Sequence, residues 1–203
     1  MKLSRSEETK KNILDAAASL FSQRGYNAVT MREIAKEAGC SHTSVHVYFT
    51  DKETLLHTLA LPPLERLEAE LSALLDSKEL PQEDKLFEWS LRFVTFSLEN
   101  RSMIGIIFEA DPERVDEEKP KHRLTEVRNR LFRQLRTALT RCLKIGLTEE
   151  QQLEGARIYF FALYGVVNSY RYSNEDKDQL LQRLAPTFRN TFRAVLFGLK
   201  EIY

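Results

Sequence analysis

TMREIAKEAGCSHTSVHVYFTDKE, residues 30–53, decides how this chain folds. It reads as two short helices joined by a tight turn, with a further helix starting directly after them. Thr30 followed by Glu33 is a capping box, in which each side chain satisfies an orphan backbone donor at a helix start. Ile34, Ala35 and Ala38 give that helix an apolar face, and the small Ala35 lets its neighbour approach closely. Gly39 takes the left-handed backbone of the turn without a Cβ penalty. Ser41 caps the next helix, expected over His42 to Tyr48, with Val45 as its inward anchor. Thr50 and Glu53 form a second capping box that opens a longer helix at Asp51–Lys52.

Upstream, residues 7–24 are expected to form an amphipathic helix. Ile13, Ala17, Leu20 and Phe21 follow helical spacing, and Gly25 ends it. A packing helix followed by a helix-turn-helix is an arrangement that lays its second helix in the major groove of DNA. The stretch ILDAAASLFSQRGYNAVTMREIAKEAGCSHTSVHVYFTDKETLL, residues 13–56, resembles the TetR family of bacterial transcriptional regulators. The pattern "A..LF...G...T...IA..AG.S...V..YF..KE.L" carries the resemblance, over less than a third of the chain. It implies an all-α protein in two parts: a helix-turn-helix DNA-binding domain over 1–52, and a helical ligand-binding and dimerisation domain over 53–203. It further implies a homodimer on operator DNA, most often a repressor released by a small molecule.

Carried over position by position, the resemblance gives the recognition helix His42, Thr43, Ser44, His46 and Val47, with Ser41 at its cap. Tyr48 and Lys52 match phosphate-holding positions, and Thr30 and Arg32 match further backbone or base contacts. The family often has Lys, Gly and Tyr where this chain has His42, Thr43 and His46, so no operator sequence transfers. His42 and His46 are also spaced i, i+4, with Cys40 two residues before, which is metal-like spacing. Two groove-facing histidines without a metal are the expectation, because an ion there would occlude the face that touches DNA.

The chain has 203 residues, 30% charged and 42% hydrophobic, and its formal net charge is +0. Such a balance fits a folded chain and gives weak non-specific attraction to DNA, so affinity must come from a specific site bound by a dimer. Two cysteines in different expected helices make no disulfide framework. The start MKLSRSEETKK shows no signal peptide, and the longest uncharged apolar run, residues 158–167 apart from its polar tyrosines, is far short of the roughly 20 residues of a membrane span. The cytoplasm is therefore the expected location.

The remainder has helical periodicity nearly throughout. Pro62-Pro63 predicts a kink or restart and a candidate hinge. Residues 83–100 carry Phe87, Leu91, Val94 and Leu98 on one face and Trp89, Phe93 and Phe96 on a neighbouring stripe, an apolar surface too wide for one partner. A short apolar piece runs from Met103 to Phe108, followed by an acidic loop over 111–120. A long helix is expected over 122–146, with its arginines on a solvated face partly neutralised by the loop. Thr148 and Gln151 cap the next helix, and its two apolar sides, together with the last helix, fit a four-helix dimer interface.

Trp89, Phe93, Phe96, Phe108, Phe161, Tyr164 and Asn168 are the candidate lining of a pocket for an apolar or aromatic effector. Paired Glu-x-x-His motifs, a glycine-rich phosphate loop and a nucleophile motif are all missing, so no enzyme and no cofactor is expected. A ligand-independent or architectural DNA-binding protein is the alternative reading.

Overall fold

The structure is a computed structural model, and it describes residues 4–101, 103, 104, 107, 123–171 and 173–203. Among these, every regular element is an α-helix. They are α1 (Arg5–Arg24), α2 (Met31–Glu37), α3 (His42–Tyr48), α4 (Lys52–Asp76), α5 (Gln82–Glu99), α6 (Arg123–Thr140), α7 (Glu149–Tyr170) and α8 (Lys177–Ile202). Phe108 and the acidic loop lie outside the described residues.

The first three helices form a head. Each packs on the other two, and α1 also packs on α4. Ile13, Ala17, Ile34, Ala35, Val45 and Phe49 are its buried core. The body is organised around α5, which packs against α4, α6, α7 and α8. This explains the breadth of its apolar surface: Leu86, Trp89, Phe93, Val94 and Leu98 are all buried, on more than one side of the helix. Trp89 stacks on Phe93, with ring centroids 5.6 Å apart, and donates its indole N–H to Gln134 Oε1 at 3.3 Å. Tyr159, a core residue the periodicity did not single out, is fully buried, with its hydroxyl 3.0 Å from Ser90 Oγ. Gly155 is buried beside the chain end. A Cβ there would meet Tyr203 Cε2 at 3.4 Å, an ordinary van der Waals contact.

Several expectations are corrected. The first helix starts at Arg5, because Ser4 and Glu7 form a capping box. The helix after the recognition helix is not opened by Thr50 with Glu53. Asp51 is its N-cap and accepts from Thr54 N at 2.7 Å, because a carboxylate is the better acceptor and residue 51 has the extended backbone a cap requires. Pro62-Pro63 cause no restart, since α4 is one 25-residue helix through both. The long helix expected to reach Gly146 ends at Thr140, and Gly146, at φ 100°, lies in the loop beyond. Arg128, expected on a solvated face, is buried. Among the described residues, Arg123 pairs with Glu65 of α4 and Glu126 of α6, and Arg130 with Glu68 of α4; the neutralisation expected from the acidic loop lies outside them.

The cap assignment is testable by thermal unfolding. Asp51→Ala is expected to cost about 1 kcal/mol and Thr50→Ala less than about 0.5 kcal/mol. The hydrogen bond from the Thr54 backbone N–H holds the Asp51 carboxyl below its ordinary range. Its contribution is therefore present above that range and lost as pH falls, and the gap between wild type and Asp51→Ala closes in acid.

Candidate nucleic-acid interface

The site is built on α3, which one buried residue orients. Val45 is fully buried against the head, so the opposite side of the helix faces out. His42, Thr43, His46 and Val47 are all exposed, Val47 to 75%. A β-branched apolar side chain this exposed in the middle of a seven-residue helix contributes nothing to the head's own core. The turn before α3 has the geometry its sequence requires. Gly39 sits at φ 67°, and Cys40 N donates to Ala35 O at 3.0 Å. The half-buried Cys40 thiol is pushed up by desolvation.

Hydrogen bonds hold both ends of α3. Ser41 Oγ accepts from Ser44 N at 3.0 Å and lies 2.7 Å from Ser44 Oγ. At the other end, Tyr48 OH is 3.0 Å from Ser6 Oγ, tying α3 to the start of α1. The His42 and His46 Nε2 atoms are 3.3 Å apart, and His46 Nδ1 is 3.1 Å from Thr50 O.

Thr30 and Arg32 stand at the start of α2. The Thr30 hydroxyl accepts from Glu33 N at 3.3 Å and donates to Glu33 Oε2 at 2.8 Å, so it is engaged in the cap. Glu33 Oε1 accepts from Arg24 Nη1 at 2.8 Å, joining the end of α1 to the start of α2. The Thr30 hydrogen bonds first, then Arg24, lower the Glu33 carboxyl to about 2. Arg32 is exposed.

Lys52 is placed differently from what its motif position implied. Its ammonium points inward, donating to Tyr26 O at 2.8 Å and Val29 O at 2.9 Å, and lies 4.2 Å from the Tyr26 ring centroid. Desolvation lowers its pKa. The sequence reading missed this contact, along with the Arg24–Glu33 tie and the Ser6–Tyr48 pair, which span 9 to 42 residues and leave no periodic signal. The stronger cap at Asp51 was readable from residue type alone.

Of the seven candidate pocket residues, the six that are described are dispersed. Trp89 and Phe93 lie in the core, and Phe96 lines a groove of about 550 Å³ between α4 and α5 with Pro63, Leu67 and Leu91. Tyr164 stacks on Phe160, Asn168 is exposed, and Phe161 is 68% exposed. Among the described residues, no group of three or more His, Cys, Asp or Glu is arranged to hold a metal, and no helix is long and apolar enough to cross a membrane.

Comparison with known proteins agrees with this geometry. Residues 13–59 match the family model described as bacterial regulatory proteins, tetR family. YuxN of Bacillus subtilis (strain 168), named a helix-turn-helix-type transcriptional regulator, is 44% identical over 50 residues, covering 25% of this chain and 17% of its own length. YdgC of the same organism, similarly named, is 28% identical over 150 residues, 74% of this chain and 69% of its own length. The chain spans a quarter or less of the length of the first curated relatives it matches. The ketosteroid transcriptional regulator KstR2 of Mycobacterium tuberculosis shares the fold with a TM-score of 0.69 at 21% identity, over 98% of this chain and 96% of that one.

Replacing Lys52 removes a charged donor from two carbonyls. Lys52→Met is expected to destabilise the chain by about 1–3 kcal/mol in denaturant unfolding. An unchanged midpoint would show that the ammonium is not a structural clamp.

Proposed function

From the match of residues 13–59 to the tetR family of bacterial regulatory proteins, we propose that the chain is a member of that family and a sequence-specific, DNA-binding transcriptional regulator. The observation that carries the reading is the two-sided recognition helix: Val45 fully buried, and His42, Thr43, His46 and Val47 exposed along the other side. In a major groove, Thr43 and the imidazoles offer donors and acceptors to base edges, and the Val47 methyls match the thymine C5-methyl group. Ser44 and Tyr48 are close enough to the helix ends to meet phosphates, and Arg32 supplies a charge from the preceding helix.

The chain acts as a homodimer. α7 and α8 leave Ile158, Phe161, Phe197 and Ile202 exposed, apolar surface suited to a second copy. This reading moves Phe161 from the pocket to the subunit interface. Two heads in fixed relation match a near-palindromic operator and raise affinity where the charge is nearly balanced, with eight cations against seven anions over residues 1–60.

The effector is a small apolar or aromatic molecule, and its binding releases the operator, making the protein a repressor. The groove between α4 and α5, with Phe96 in it, supports this, because α4 runs unbroken from that groove to the head. A ligand preferring one α4 position over another shifts DNA affinity by that difference, and DNA shifts ligand affinity equally.

Selection from a random duplex library with full-length protein tests the reading. Enrichment of a near-palindrome with half-sites one helical turn or a multiple apart is expected. Phe161→Glu is expected to give monomers in sedimentation and to bind that duplex at least about tenfold more weakly. No enrichment with the parent protein, in the presence or absence of an aromatic compound panel, would overturn it.

A further inference from the structure

We infer that α3 carries a two-histidine chelate for a borderline divalent cation of the zinc class, formed by Nε2 of His42 and Nε2 of His46. Spacing alone favoured no metal; three features of the geometry point the other way. The first is the bite. Two imidazole nitrogens bound to a tetrahedral zinc at about 2.0–2.1 Å lie roughly 3.3 Å apart. The two Nε2 atoms are 3.3 Å apart.

The second is the partner of the other ring nitrogen. His46 Nδ1 lies 3.1 Å from the Thr50 carbonyl, which can only accept, so Nδ1 carries the proton. In the neutral ring this leaves Nε2 as a lone pair. Metal-binding histidines are oriented in the same way, with the second N–H donating to a backbone carbonyl. The Nε2 proton that His42 shares with His46 moves to Nδ1 of His42 when an ion takes its place. This is a tautomer change without net proton release.

The third is access and charge. Both rings are exposed, with centroids 4.6 Å apart, and an ion can enter with its remaining waters. α3 has the sequence HTSVHVY and carries no lysine or arginine to repel a cation. Among the described residues no third ligand completes the set, so the site holds the ion more weakly than a closed one, with water in the open positions.

One consequence rests on the proposed regulator reading: the ion occupies the nitrogens that face the bases. Zinc and operator DNA then exclude one another, each weakening the other equally.

Calorimetric titration of zinc chloride into chelator-treated full-length protein tests the chelate. One ion per chain is expected, bound at least about tenfold more weakly by both His42→Ala and His46→Ala and unchanged by His57→Ala. The His42 and His46 side chains are exposed and His57 is half-buried, and matching melting temperatures verify that the variants are folded. No binding by the parent, or binding by either variant as tight as the parent's, overturns the proposal. Anisotropy of a selected duplex with and without zinc reads the exclusion separately. If no duplex binds, the regulator reading fails while the titration still decides the chelate. If saturating zinc leaves duplex affinity unchanged, mutual exclusion is wrong.

Discussion

The Lys52 ammonium is the contact on which the arrangement of head and body depends. It occupies the first position of α4 and reaches back across more than twenty residues to the Tyr26 and Val29 carbonyls, between α1 and α2. Both carbonyls lie in the loop between α1 and α2, outside either helix, and the Tyr26 carbonyl also accepts from Val29 N at 3.3 Å. An ammonium above the Tyr26 ring serves both, and its lowered pKa reflects the water it gives up there. The head is thereby fixed to the first turn of a helix 25 residues long, about 37 Å at helical rise. Leu55 and Leu56, a turn further on, are buried and continue the same attachment.

With the head fixed, the division of labour on α3 follows from one residue. Val45 settles which side is inward, and the seven-residue length leaves room for a single anchor. The outward residues are then free of packing duties, which is why they can differ from the usual residues of the family without cost to the fold. The same separation applies in the body. α5 touches every other body helix and takes its large aromatics into the core, while the outer sides of α7 and α8 keep Phe161 and Phe197 exposed.

Legibility in the sequence followed the range of the interaction. The Thr30–Glu33 and Thr148–Gln151 capping boxes, the Gly39 turn and the span of α3 are set by residues three or four apart, and each was readable from residue types at fixed offsets. The end of the helix expected over 122–146 was not. Cys142 continues the apolar period, yet the helical backbone stops at Thr140. The unbroken path of α4 through two prolines was also hidden. Local sequence reports the lost hydrogen bonds, whereas burial of Ala60, Leu64 and Leu67 on either side of them belongs to the tertiary structure. The pocket candidates were the least legible, because helical periodicity marks apolar residues without separating core from cavity or from subunit interface. Trp89 and Phe161 carry the same kind of pattern and lie at opposite extremes of exposure.

The central claim is that the exposed side of α3 meets DNA. Ultraviolet cross-linking of a selected duplex carrying 5-bromouracil, followed by tryptic peptide mapping, tests it most directly. The account predicts adducts in the peptide 37–52, which holds all of α3. Adducts confined to the Arg133 and Arg141 groove between α4 and α6 would contradict it.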